Sequence, residues 1–414
     1  MLNDRRVVIT GMGVVAPNGI GIDNFWDSLV HGRSGIRKIT HFDASSYPCQ
    51  VAAEVQDFDG TDYTDPKTAK RLDRFALLCL ASASMALQDS GIKIPVKHPY
   101  RVGVFVGSAI GGGETSENQH LIFVEKGFKW IAPFTVEAIS SHSASGLISQ
   151  CFTIKGPNTT ISSGCNSGLD ACYLAYNTIR MGDAEVMIVG AGEAPITPYI
   201  VSVFSAVGVL STQNGDPKGA VKPYDVNARG MVLGEGGGAI VIEELNHAIS
   251  RGAKIYGEIL GYSSLTEAYM FGTKTDKEVM AKAYKEAIDR SHSDLKDIDY
   301  INSHGNGILE YDLGETKSIK MAFGELAYKI PVSSIKPITG QSLSATGIYQ
   351  VITGLLAIKN STIPPTINHK NPAPGCDLNY VPNHNIKKDV NTILTNAHGF
   401  GGRHTVLALG KFTE

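Results

Sequence analysis

Three observations in the sequence predict an α/β protein with a mixed or parallel sheet. Strand-like and helix-like runs alternate along the chain. One stretch, Thr159 to Val189, has the order strand, thiol, helix, strand. After about residue 255 a similar succession restarts, so the chain divides into two related halves, 1–254 and 255–414.

The elements follow in order. Arg6–Ile9 is β-branched and strand-like, and the apolar run FALLCLASASMAL predicts a helix over Leu72–Asp89. Val102–Val106 is a buried strand; Ala239–Glu243 and Ile255–Leu260 repeat the pattern. The second half offers helices over Asp276–Ser291, Glu315–Phe323 and Gly347–Ile358, with a short strand at Tyr300–Ile301. No Pro/Gly/Ser linker or low-complexity tract separates the halves, so they are expected to pack as one body.

The most informative residue is Cys165. A β-prone stretch, Thr159–Ser162, stops at Gly164, and helical spacing begins directly after the cysteine with Leu169, Cys172, Tyr173, Tyr176 and Ile179. Gly182 stands just past the end, and Val186–Val189 is the next buried strand. A thiol at a helix N-terminus meets unpaired N–H groups and the positive end of the helix dipole, which favour a thiolate nucleophile.

Composition narrows the classes. A chain of 414 residues with 43% hydrophobic content can bury a large core. A net charge of -3 gives no reason to expect binding to nucleic acid or to an anionic membrane surface. No apolar run approaches the roughly 20 residues of a membrane span, and the start has no signal-peptide core, so a cytoplasmic protein is expected. The six cysteines form neither a CxxC pair nor a metal-ligand spacing, which predicts no metal site and no disulfide framework. Cys79 and Cys172 fall in apolar helical patterns as small core residues. Glycine clusters at 11–13, 111–113, 234–238 and 399–402 match neither dinucleotide nor P-loop spacing.

Six motifs taken together identify a family. They are VVITGMGVVAPNG, GPNTTISSGCNSG, KPYDVNARGMVLGEGGGAIVIE, YINSHGNGILEYDLGET, SSIKPITGQSLSATG and NAHGFGGRHT. In this order and spacing they resemble the elongating β-ketoacyl-acyl carrier protein synthases, condensing enzymes of the thiolase superfamily. The resemblance runs from Arg6 to Leu409. It implies a thiolase-like duplicated fold of five layers, α-β-α-β-α, and a dimer, either a homodimer or a heterodimer with a second synthase. It implies no bound cofactor, because the substrates ride on the phosphopantetheine of acyl carrier protein. The implied reaction loads an acyl group on Cys165, decarboxylates a malonyl-carrier protein and joins the two, in fatty acid or polyketide biosynthesis. Cys165 would be the nucleophile, and the backbone N–H groups of Cys165 and Phe400 the oxyanion hole. The Phe400 side chain would be a gate, His304 the decarboxylation histidine and Lys336 the residue ordering the network. Ser108 and Ile110 fall where the family sets acyl-chain depth.

The chain departs from the family pattern. Gln341 stands where a second histidine is usual, and a carboxamide can donate an N–H but cannot carry charge. Asn306 and Ile308 replace pantetheine-bonding threonines, and Gln350 replaces a glutamate. His398 and His404 occupy positions usually held by phenylalanine and asparagine, and either could compensate for the lost histidine. Two alternatives therefore accompany the synthase reading: an acyltransferase without decarboxylation, or a chain-length-factor-like partner subunit. Such factors generally lack the cysteine that this chain keeps.

Overall fold

The computed structural model of the chain describes residues 5–268 and 275–413. In the first half, strands β1 (Val7–Ala16), β2 (Val102–Gly107), β3 (Asn158–Ile161), β4 (Val186–Glu193) and β5 (Gly236–Glu244) lie in the order β3-β2-β4-β5-β1. In the second half, β6 (Gly257–Thr266), β7 (Tyr300–Asn302), β8 (Val332–Ser333), β9 (Thr392–Gly399) and β10 (Arg403–Gly410) lie in the order β8-β7-β9-β10-β6. The two orders are the same once the strands are numbered within each half. The first three strands of each order run parallel, and the last two pair antiparallel. The halves meet where β1 pairs antiparallel with β6, Val8 opposite Glu258 and Ile9 opposite Gly257.

Helices complete the layers. On one outer face, α1 (Arg74–Ser90) packs on β1, β4, β5 and a second helix, α2 (Ser143–Phe152). Between the two sheet halves lie α3 (Ser167–Met181) and, later in the chain, Ser344–Asn360; they pack on each other and on strands of both halves. On the far face, α4 (Lys277–Arg290) covers β6 and β10 and touches α5 (Leu309–Phe323). With Ser344–Asn360 as α6, this is the α-β-α-β-α arrangement expected. Leu169, Cys172 and Ile179 of α3 and Ile348, Ile352 and Leu355 of α6 fill the space between Val189 and Ile240 of one half and Leu407 and Leu409 of the other. The three-and-four spacing visible in the sequence is therefore the contact stripe of the middle layer.

The differences from expectation have physical causes. Strand β1 runs ten residues, through Gly11 and Gly13 rather than stopping before them. A Cβ on Gly11 would lie 2.2 Å from the Ala86 carbonyl oxygen, and one on Gly13 2.1 Å from that of Ser82, so these glycines let α1 rest on the strand backbone. Helix α5 begins six residues before the expected Glu315, because its first turns bury Asp312 and Glu315 beside Tyr311, polar residues that interrupt the apolar pattern. The helix Gly113–Lys126 buries none of its residues and so leaves no core pattern to find. All six cysteines are free thiols, with Cys79 and Cys172 fully buried as expected. No helix among the described residues is long and apolar enough to cross a membrane.

Candidate active site

The site forms where loops at the ends of equivalent strands face one another. Strand β3 leads through a 3-10 turn, Gly164–Asn166, into α3, with Gly164 at φ 67°. The Ser167 hydroxyl donates to the Gly164 carbonyl (2.7 Å) and accepts from the Ser163 N–H (2.8 Å), which fixes the turn. Cys165 is thereby held at the N-terminal end of α3, buried, with its side chain in an apolar cluster that includes Ile200, Ile308, Tyr311 and Leu343.

The counterpart loop of the second half, between β8 and α6, carries Lys336 and Gln341, both buried. The Gln341 carboxamide and the Lys336 ammonium both lie close enough to the Cys165 thiol to favour its charged form. Gln341 is anchored through its backbone, donating to Val232 (2.8 Å) and accepting from Gly234 (2.9 Å). Burial pushes the thiol up from its ordinary value, and neither Gln341 nor Lys336 fully offsets this. The resting group is the thiol, so the helix N-terminus alone does not produce the thiolate expected from sequence. Burial likewise lowers Lys336 to about 8.

His304 follows β7. Its own N–H donates to Glu315 Oε1 (2.7 Å), and its carbonyl accepts from Lys336 Nζ. Its Nδ1 accepts the backbone N–H of His398 (3.2 Å). Burial, with Lys336 and His398 nearby, holds the ring well below its ordinary pKa, so it is a neutral imidazole carrying its proton on Nε2. Asn306 Nδ2 lies 3.2 Å from that nitrogen. Two N–H donors this close are satisfied together by one acceptor oxygen, which is what a developing enolate would offer. Gln350 donates to the carbonyls of Asn302 (3.0 Å), Ser303 (3.0 Å) and Asn396 (3.1 Å), stapling β7 to β9 beneath His304.

The hairpin between β9 and β10 closes the site. Asn166 donates to the Ala397 carbonyl (2.8 Å) and to Thr405 Oγ1 (3.0 Å), tying the nucleophile turn to that hairpin. A Cβ on Gly399 would lie 3.8 Å from the Cys165 nitrogen and 2.5 Å from Asn166 Oδ1, so the backbone entering Phe400 runs against the Cys165 amide. The Phe400 ring, 40% exposed, sits at the mouth with Tyr311 (6.1 Å between centroids) and Phe204 (6.4 Å).

The remaining expected residues divide between the Cys165 cluster and the polar network around it. The Ser108 hydroxyl faces Glu193 Oε1 (3.3 Å) and accepts from Gly111 N–H (3.0 Å), whereas Ile110 packs in the apolar cluster that holds Cys165. Glu193 is fully buried, and burial raises it to about 7 against donors from Ser344, Ala109 and Ile110. Both His398 ring nitrogens are engaged by other residues, Nδ1 with His404 Nδ1 (2.7 Å) and Nε2 with Asn396 Nδ2 (3.0 Å), with Glu315 Oε1 3.5 Å from Nε2. Glu315, Glu267, Asn396 and Asn166 complete the polar shell and were not marked in the sequence. One signal was available for Glu315: with Asp312 and Thr316 it extends the stripe of Ile319, Ala322 and Phe323, placing polar residues on a helix's buried face.

Comparison with known proteins agrees with this architecture. The family model for the beta-ketoacyl synthase N-terminal domain matches residues 4–248, and that for the C-terminal domain matches residues 256–370. The chain is 41% identical over 414 residues to the 3-oxoacyl-[acyl-carrier-protein] synthase 2 of Coxiella burnetii, covering 99% of each. It is similar to a solved type II PKS acyl-carrier protein in complex with its ketosynthase bound to the hexaketide: TM-score 0.92, 30% identity, 99% of this chain and 100% of that one. It is also similar to the ishigamide ketosynthase/chain length factor, with TM-score 0.93 and 28% identity over 99% of this chain and 100% of that one. Matched in both halves and aligned end to end with a named synthase, the chain belongs to the β-ketoacyl synthase family of condensing acyltransferases.

Proposed function

We propose that this chain condenses an acyl group held on Cys165 with malonyl-acyl carrier protein, with decarboxylation, through a Cys165–His304–Gln341 site. The observation that carries the reading is the convergence of Gln341 and Lys336 on the buried Cys165 thiol, with Lys336 also holding the His304 carbonyl. In the first stage, the sulfur forms a C–S bond to the acyl carbonyl, and the N–H groups of Cys165 and Phe400 hold the oxyanion. The carrier's C–S bond then breaks, and the thiol proton leaves on the pantetheine sulfur. In the second stage the malonyl C–C bond to its carboxylate breaks, the electron pair stays on the α-carbon and CO₂ departs. His304 Nε2–H, with the Asn306 and Gln341 amides, holds the enolate oxygen. The carbanion bonds to the acyl carbon, the Cys165 C–S bond breaks, and the sulfur takes a proton from water. Lys336 orders this arrangement through the His304 carbonyl.

The acyl and malonyl units arrive on phosphopantetheine of an acyl carrier protein, so no bound cofactor is required. We place the protein in the cytoplasm, in fatty acid or polyketide assembly. A dimer is supported by a run of exposed apolar side chains: Val124, Phe128, Trp130 and Val136, with Tyr199 and Val207 on the helix Pro198–Val207. The same helix presents Phe204 to Phe400, which would bring the subunit boundary next to the gate.

Intact mass after incubation with acyl-carrier protein, run beside CO₂ release from malonyl-carrier protein, tests the reading. An adduct absent from Cys165→Ala together with CO₂ release is expected. An adduct without CO₂ would indicate acyl transfer alone, and no adduct would indicate a partner subunit. Native mass distinguishes a homodimer from a chain that assembles only with a second synthase.

A further inference from the structure

Behind His304 lies a buried row of side chains. His398 on β9 stands directly opposite His404 on β10, and both rings are buried. Their Nδ1 atoms are 2.7 Å apart, so a single proton lies between them. His404 Nε2 is 2.6 Å from Glu267 Oε1, just beyond the end of β6, and that oxygen also accepts the Asp276 N–H. His398 Nε2 is 3.0 Å from Asn396 Nδ2, which also donates to Glu315 Oε1 (2.6 Å).

One set of protons satisfies every nitrogen. Asn396 donates to His398 Nε2, His398 Nδ1–H donates to His404 Nδ1, and His404 Nε2–H donates to Glu267. The His398 ring is then neutral, which agrees with its value of about 4, lowered by burial against the pull of Glu315. The row meets His304 by two routes. The His398 backbone N–H holds His304 Nδ1, while Asn396 steadies the Glu315 carboxylate that accepts the His304 N–H. Glu267 further clamps the hairpin by donating its own N–H to the Gly402 carbonyl (2.8 Å).

We propose that Glu267, His404 and His398 are positioning residues for His304. They lock the strand end whose amide holds Nδ1, and so keep Nε2–H directed at the substrate oxygen during condensation. This rests on the Cys165–His304–Gln341 reading of the site. It assigns to the histidine pair a role on His304 rather than direct replacement of the histidine that Gln341 displaces. Loss of the row leaves buried ring nitrogens unpaired and frees the strand end, and small displacements of a catalytic donor are costly.

Two measurements test it. In the first, His404→Leu and Glu267→Ala are compared with Glu267→Gln, which keeps an acceptor oxygen, after thermal melting has shown which variants fold. CO₂ release should fall about tenfold or more in the first two while acyl loading on Cys165 stays within about twofold, and Glu267→Gln should recover most of the release. Release at the wild-type rate, or equal losses in loading and release, would overturn the proposal. The second needs no variant: side-chain ¹⁵N NMR of histidine-labelled wild-type protein should find His304 protonated on Nε2 and His398 on Nδ1. Finding the His304 proton on Nδ1 would also overturn it. This arm stands even if the wild-type protein releases no CO₂, an outcome that would count against the functional reading instead.

Discussion

The two halves share one strand order yet contribute opposite chemistry. In the first, the loop leaving the third strand is five residues long, 162–166, and presents the Cys165 thiol at the start of α3. In the second, the equivalent loop, 334–343, is twice as long and presents Lys336 and Gln341 before α6. The loops after the second strands differ in the same sense. One holds Ser108 against Glu193; the other holds His304 against Glu315. A duplicated scaffold thus sets a nucleophile from one copy against donors from the other, and changes of loop length and residue are enough to do it.

If Cys165 governs acyl loading and His304 governs decarboxylation, substitutions should separate the two stages. The largest effect belongs to Cys165→Ala, which removes the acyl adduct and lowers product formation by roughly 10³-fold or more, read by intact mass and product assay. His304→Ala comes next. CO₂ release should fall by about 10² to 10³-fold while loading changes by no more than a few fold, because His304 donates only to the later oxyanion. Equal losses in both stages would break the division of labour.

Gln341→Ala should have a smaller effect on both stages, roughly tenfold, since its amide serves the thiol at rest and the enolate later. Gln341→His should release CO₂ at least as fast as the wild type.

The smallest effect concerns stability. Lys336 has its folded value lowered to about 8 from 10.5, so between these limits the unfolded chain binds more protons. Wild-type stability should therefore rise relative to Lys336→Met as pH increases from 8 to 10.5, by up to about 1 kcal/mol per pH unit, measured by denaturant unfolding. A pH-independent difference would mean that Lys336 keeps its charge through this range.

The legibility of the sequence followed the same division. The Cys165 turn was readable because glycine, thiol and helical spacing are local, and the structure ends its helix at Met181 with Gly182 in the left-handed conformation. The α5 stripe of Asp312 and Glu315 was readable in principle, since polar residues at apolar spacing betray a buried polar face. The row from Glu267 to His404 was not, because its partners are 137 residues apart in sequence and meet only through strand pairing. His398 and His404 could be picked out by type, but their engagement with each other depends on the register that sets them opposite one another.

The most direct test of the Cys165–His304–Gln341 site is a single turnover. Protein carrying an acyl group on Cys165 is mixed with malonyl-acyl carrier protein, and mass spectra follow both partners. A working synthase returns Cys165 to the free thiol, releases one CO₂ per acyl group and lengthens the carrier-bound chain to a β-ketoacyl product. An acyl group that stays on Cys165, with malonyl-carrier protein unchanged, would contradict the account.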